Sequence, residues 1–400
     1  MKVDSIKKEF VINGNTIKEG DAITLNGTAG KVYEGELPLI ETDITSDYLT
    51  HFLGMCDEIK RMKVRTNAET PSDAKRALSF GAEGIGLFRI EHMFYGEGSE
   101  KPLFHLQEMI MANSSDERKT ALDLLFPYMK SDIKDTLKTM EGLPVTIRLM
   151  DPPLHEFIPH DVNRQNELAE SLNIDSIELA RRSDALKESN PMMGHRGVRL
   201  GITHPEITKM QARAILEAAA ELSSENVKTF PEIMIPLTGM ETEYNHQEKI
   251  VREVAENTKG LDNYMVGTMM EIPRASFVAD RIAKTAEFFS FGTNDLTQMA
   301  FGFSRDDTGG FMPAYLELGL LPEDPFASLD EGVCELVKMG IKKGRKTKPN
   351  LKVGICGEHG GEPKSVHFCH NVGMDYVSCS PFRVPIARLS AAQAVLNNEK

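Results

Sequence analysis

The 400-residue sequence predicts an α/β fold whose main body, residues 63–400, is a (β/α)8 TIM barrel. Eight short apolar segments recur from residue 63 onward, and longer amphipathic stretches with helical spacing separate them. Strands that alternate with helices favour parallel pairing, and eight such units over roughly 250 residues or more suit a closed barrel. In such a barrel the chemistry sits at the C-terminal ends of the strands, and those ends are rich here in Arg, Asp, Glu and Cys. A doubly wound open sheet is the alternative for the same alternation.

Residues 1–38 read differently. Short alternating segments are punctuated by Asn-Gly-Asn, Glu-Gly-Asp and Asn-Gly-Thr, which are turn signals between small strands. This predicts a β-rich remnant too short to bury a core alone. Residues 39–62 follow as a linker, with helical spacing over "TSDYLTHFLGMCDEIKRM". The barrel strands are then expected at 63–68, 84–91, 144–151, 232–237, 265–272, 288–295, 352–358 and 376–381. "PSDAKRALSFG", "ITKMQARAILEAAAEL" and "EGVCELVKMGIKKG" are expected helices between them, and extra helices fill the long interval after the third strand.

Composition excludes several classes. Forty-six basic residues against 60 acidic ones give a formal charge of −14, a poor basis for binding nucleic acid or an anionic membrane. Any anionic ligand has to be held by a few placed arginines or a metal. The five cysteines form no disulfide framework or CxxC pair, and no signal peptide or membrane span is seen, so a cytoplasmic protein is expected. No P-loop, zinc spacing or nucleophile elbow appears.

The strand ends supply the candidate chemistry. Arg89, Glu91 and His92 close the second strand, Arg148 and Asp151 the third, Glu271 the fifth, Asn294 and Asp295 the sixth, Cys356 and Glu358 the seventh, and Cys379 and Ser380 the eighth. Glu271 and Asp295, on successive strands, would repel each other unless a hard cation such as Mg2+ lay between them. The competing reading is that each caps a helix or pairs with an arginine. Arg89 and Arg148, joined by Arg196 and Arg199 beside His195 in "NPMMGHRGVRLGI", present planar forks suited to phosphate or carboxylate. Structural ion pairing is the competing reading for any one of them. Cys356 borders the glycine-rich "GICGEHGGEP", where a thiol serves as an acid–base group or is simply small and apolar.

The blocks "GLFRIEHMF", "RLMDPPLHEF", "NPMMGHRGVRLGI", "GTMMEIPRA", "FFSFGTNDLTQMAFGFSRDD", "GICGEHGGEP" and "DYVSCSPFRVPIARLSAAQA" together resemble the C-terminal phosphoenolpyruvate/pyruvate domain of the pyruvate, phosphate dikinase family. The resemblance covers essentially all of residues 63–400; phosphoenolpyruvate synthase and enzyme I of the sugar phosphotransferase system have related barrels. It implies Mg2+-dependent binding and enolisation of pyruvate, and phosphoryl transfer between a phosphohistidine and the pyruvate enolate. Carried onto this chain, it implies Glu271 and Asp295 as metal ligands and Arg89, Arg148 and Arg196 as holders of phosphoryl and carboxylate groups. Gly292, Thr293 and Asn294 match the substrate-contacting loop, and Cys356 the residue that moves the proton at the methyl or methylene carbon.

The family's ATP-grasp domain and phosphohistidine motif are not seen in this sequence, and residues 1–38 resemble the last strands of its swivelling phosphohistidine domain. A partial reaction is therefore expected, completed by a phosphohistidine domain in cis or in trans, with a homodimer formed through the barrel. A pyruvate-enolate lyase and a non-catalytic dimerisation or sensing module are the rival readings.

Overall fold

The structure, a computed structural model, describes residues 2–4, 7–12, 14–26, 30–39, 46–96, 98–159 and 161–398. Two compact units are present, residues 1–50 and 51–400. In the first, β1 (Lys2–Asp4), β2 (Glu9–Ile12) and β3 (Asn15–Lys18) form an antiparallel sheet, and β4 (Ile23–Asn26) pairs with β5 (Lys31–Glu34). Gly20, at φ +94°, sits in the expected Glu-Gly-Asp turn; Asn13 and residues 27–29 of the other two turn signals lie outside the described residues. Ile17 is the one buried side chain among the unit's described residues, so backbone pairing rather than a core gives it form. A helix, Asp47–Ile59, falls within the expected linker, whose residues 40–45 lie outside the described residues.

The second unit is a closed parallel barrel. β6 (Lys63–Asn67), β7 (Ile85–Arg89), β8 (Pro144–Arg148), β9 (Phe230–Ile235), β10 (Met265–Met270), β11 (Phe288–Gly292), β12 (Lys352–Cys356) and β13 (Tyr376–Cys379) pair in sequence order, and β13 returns to β6. All eight expected strands are found; seven are shorter than their sequence segments, and the fourth keeps its length but lies two residues earlier, at Phe230–Ile235 rather than 232–237. The sixth changes most: β11 stops at Gly292, and Thr293, Asn294 and Asp295 open the helix Thr293–Phe301 instead of ending the strand. Four α-helices fall between residues 162 and 224, in the long interval before β9.

The strand sequences explain both layers of the barrel. In "FFSFG", Phe289 and Phe291 face outward onto the helix Glu331–Thr347, where Gly344 and Gly340 let that helix come close; a Cβ on Gly344 would stand 2.8 Å from Phe289. Phe288, Ser290 and Gly292 then face inward, as the period of two requires. Inward glycines make room for the large side chains: a Cβ on Gly354 would lie 2.2 Å from the Tyr376 ring, and one on Gly267 2.5 Å from Phe288. The lower interior is polar. Arg65 pairs with Glu232 at 2.8 Å and stacks 4.0 Å above the Tyr376 ring, and Lys352 reaches Glu232 at 2.6 Å. Burial alone would raise the Glu232 carboxyl, but Arg65 and Lys352 outweigh it and bring it down to about 2.

Candidate functional site

The upper end of the barrel gathers the charged residues. Arg148, the last residue of β8, is buried; its Nη2 pairs with Glu91 and its Nη1 lies 3.0 Å from Asp151. Arg196 reaches the same oxygen of Asp151 at 2.5 Å and Asp295 at 3.3 Å. Asp151 thus ties two arginines from different segments into one fixed pair. Burial opposes its ionisation, but Arg148 and Arg196 prevail and hold its carboxyl below the usual range. The backbone cooperates: Gly197 adopts φ +56° and donates its N–H to the Asp151 carbonyl at 2.9 Å, which turns the chain so that Arg196 points inward.

Glu271 follows β10 directly. Its Oε1 accepts the backbone N–H of Leu237 at 2.6 Å, and its Oε2 faces Gly292, where a Cβ would come within 2.9 Å. Burial, then the facing charges of Asp151 and Asp295, push its carboxyl well above the ordinary range, against the pull of Arg148 and Arg196. Counted as ionised, Glu91, Asp151, Glu271 and Asp295 against Arg148 and Arg196 leave a formal charge of −2. One divalent cation would balance that, and the orphaned, buried Asp151 Oδ1 and the open cradle at Gly292 agree with a missing positive charge. Among the described residues no three His, Cys, Asp or Glu side chains gather closely enough to hold a metal alone. A cation here would rest on Glu271 and Asp295 and complete its shell with ligand and water oxygens, an arrangement Mg2+ accepts.

Cys356, the last residue of β12, is buried among Leu87, Met234, Met269 and Phe288. Burial pushes its thiol up to about 11, so it is protonated at neutral pH. Ser290 Oγ lies 3.5 Å from its Sγ, and burial pushes the Tyr376 hydroxyl well up, so it too stays protonated. Arg89 gives both Nε and Nη2 to Glu69 Oε1, the first at 2.7 Å, and stands with Asn294, Gly357 and Ser380 in the wall of a cleft of about 240 Å3. Thr293 turns the other way. His359 donates Nε2–H to the Pro325 carbonyl at 2.9 Å, so its Nδ1 accepts from the Thr293 hydroxyl at 2.7 Å. With its one proton engaged by His359, the Thr293 hydroxyl is left only as an acceptor.

Four of the expected residues, Arg148, Arg196, Glu271 and Asp295, therefore meet at one electrostatic centre. Arg89 and Asn294 line the adjoining cleft, Gly292 clears space beside Glu271, and Cys356 closes the centre from the barrel interior. His195 and Arg199 stay out: His195 bonds Thr203 at 2.6 Å, and Arg199 holds the carbonyls of Met193 and Gly194. Sequence reasoning assigned no role to Glu69, Leu237, Ser290, His359 or Tyr376. Ser290 and Tyr376 were accessible through strand alternation with Cys356; Leu237 carried no signal at all.

The comparisons with known proteins agree on one family. The sequence pattern described as the PEP-utilising enzyme, PEP-binding domain, matches residues 45–396. The pyruvate, phosphate dikinase of Clostridium symbiosum is 51% identical over 405 residues, which takes in all of this chain and 46% of that protein. The chloroplastic pyruvate, phosphate dikinase of Mesembryanthemum crystallinum is 52% identical over 402 residues, 99% of this chain and 42% of its own length. Pyruvate, phosphate dikinase 1, chloroplastic, of Arabidopsis thaliana is 53% identical over 403 residues, 99% of this chain and 41% of its own. The chain spans less than half the length of these relatives.

Proposed function

Because the chain belongs to the PEP-utilising enzymes, through their PEP-binding domain, we propose that its barrel binds pyruvate and phosphoenolpyruvate and carries the pyruvate half of a phosphoryl transfer with a phosphohistidine. The observation that carries this reading is the centre in which Asp151 fixes Arg148 and Arg196 beside Glu271 and Asp295, with the protonated Cys356 beneath. Fixed guanidinium forks suit the carboxylate and phosphoryl oxygens of a small polyanion. Arg89 extends the same capacity into the cleft.

Mg2+ held by Glu271 and Asp295 would supply Lewis-acid stabilisation of the charge that develops on the enolate oxygen. The protein's own part is proton handling and orientation. From phosphoenolpyruvate, the phosphoryl group leaves the enol oxygen for a histidine nitrogen of a separate domain, in cis or in trans. The Cys356 thiol gives its proton to the methylene carbon, forming the new C–H bond. In reverse, the thiolate takes a methyl proton. A thiol near 11 suits the donating direction at neutral pH and keeps the sulfur from acting as a casual nucleophile. The apolar wall around Cys356 excludes water from the carbon centre.

The same reading takes residues 1–38 as a β-rich remnant of the swivelling domain, 39–62 as a linker and 63–400 as the barrel, with a homodimer formed through the barrel. The antiparallel strands of the first unit and the helix at Asp47–Ile59 support the division. No helix among the described residues is long and apolar enough to cross a membrane, and the five free thiols suit a reducing compartment such as the cytoplasm.

Methyl hydrogen–deuterium exchange of pyruvate in D2O, followed by NMR with and without Mg2+, tests the reading. Mg2+-dependent exchange that Cys356→Ala abolishes is the expected result. Exchange at the buffer rate in the unsubstituted protein, or exchange indifferent to Cys356, would remove the enolisation reading.

A further inference from the structure

At the upper end of the barrel, Arg89, Arg148 and Arg196 each already hold a carboxylate, and Arg305 lies 3.5 Å from Glu358. Arg383 differs. Its guanidinium has no hydrogen-bond or ion-pair partner among the described residues, although acidic side chains, Glu69, Asp73 and Glu358, line the same cleft. An exposed arginine is ordinarily just a solvated surface charge. Two features set this one apart.

The first is its base. Arg383 ends the short turn Pro381–Arg383 that follows β13, its N–H donates to the Ser380 carbonyl at 2.9 Å, and Gly361 lies so close that a Cβ there would come within 2.8 Å of the Arg383 Cβ. The root of the side chain is therefore held against the glycine-rich turn after Cys356. The second is its place. Arg383 lines both the 240 Å3 cleft that contains Arg89 and Asn294 and a second cleft of about 530 Å3 that contains Arg305 and Thr308, and with Glu358 it is shared by the two. It stands where the cleft that holds Arg89 and Asn294 meets the second one.

We propose that Arg383 is a further phosphoryl-binding residue, whose fork meets the phosphoryl oxygens of phosphoenolpyruvate in the cleft it lines together with the Arg89–Glu69 pair. A phosphoryl group carries more negative charge than one fork neutralises, and the cleft's acids make a second cation necessary. Among the cleft's two arginines, Arg383 alone has every N–H free for a ligand, whereas Glu69 occupies one edge of Arg89. The inference rests on the pyruvate and phosphoenolpyruvate reading above.

Titration calorimetry of phosphoenolpyruvate into the Mg2+-loaded chain tests it, for the unsubstituted protein, Arg383→Met and Arg383→Lys, alongside the pyruvate KM in methyl exchange. Arg383→Met is expected to weaken phosphoenolpyruvate binding about tenfold, the scale of one charge-assisted contact. Arg383→Lys restores part of that, because it keeps the charge and loses the fork. The loss must exceed any rise in pyruvate KM several-fold, since pyruvate carries no phosphoryl group. Phosphoenolpyruvate affinity within about twofold of the unsubstituted protein overturns the proposal, as does an equal loss for both ligands, which marks a structural role. Exchange without any phosphoenolpyruvate binding in the unsubstituted protein overturns the Arg383 role alone. The absence of both overturns the underlying reading with it.

Discussion

Leu237 holds a left-handed backbone, φ +59°, and from it donates its N–H to Glu271 Oε1 at 2.6 Å. A branched residue in that region is strained by about 1–2 kcal/mol. Leu237 tolerates it because its side chain is buried and packs against Gly197, the turn that delivers Arg196. The strain sits between the two halves of the candidate centre and orients the carboxylate most in need of a fixed position.

Leu237→Gly should therefore show two opposed effects. Relief of strain returns about 1 kcal/mol, and loss of a buried leucine side chain costs about 3 kcal/mol, so stability falls by roughly 2 kcal/mol. Urea unfolding measures the sum. Mg2+ affinity should fall as well, since a freely moving backbone no longer aims Glu271; unchanged affinity would show that the N–H contact is incidental.

Gly292→Ala is expected to disable the site while sparing the fold. The new methyl would lie 2.8 Å from Met269 Sδ and 2.9 Å from Glu271 Oε2, so the carboxylate has to move. A tenfold or greater loss of Mg2+ affinity is about what a displaced ligand costs. Calorimetric titration with Mg2+ gives the answer, with circular dichroism confirming the fold.

Glu232 governs a pH effect far from the site. Its carboxyl is held at about 2 against an ordinary 4.5. A lowered carboxyl contributes stability that is present above the ordinary value and is lost as pH falls through the native one. Stability should thus decline between about pH 5 and pH 2, and Glu232→Gln should flatten that decline while lowering stability at pH 7. Removing one partner of a buried pair costs on the order of 3–5 kcal/mol. Thermal melts across pH for both proteins test it; parallel curves would assign the acid limb to other groups.

Thiol reactivity gives a direct check on Cys356. Buried and raised to about 11, it should resist iodoacetamide at pH 7.5, whereas the half-buried Cys334 should be labelled first despite a thiol also near 11. Mass spectrometry of peptides after timed labelling separates the two. Fast modification of Cys356 would mean that it is more open, and more ionised, than the barrel interior implies.

Much of the architecture was legible in the residues. The alternation of eight apolar segments with amphipathic ones is a local property, and it separated strands from helices and pointed to a parallel sheet, because neither period can be satisfied in the other's structure; closure into a barrel rather than an open sheet was decided by the fold. The chemical character of the strand ends was legible too, since Arg, Glu and Asp at those points cannot be buried without partners. The end of β11 was misjudged by three residues. Gly292 breaks the strand and Asp295 falls in the first turn of a helix, where an acid is also favoured, so the two signals overlap.

What only tertiary structure decided is which charges meet. Asp151 and Arg196 are 45 positions apart, and Glu271 and Leu237 are 34 apart; no spacing rule links either pair. Barrel closure brings them together, and the glycines at 197 and 292 set how near they come. The same closure chose Arg196 over Arg199 and gave Thr293 to His359. By itself the sequence determined the strands, the helices and the stock of chemical groups, because local periodicity and polarity are carried by neighbouring residues. The fold alone determined their pairing, because electrostatics acts through space and the strand order is what sets the distances.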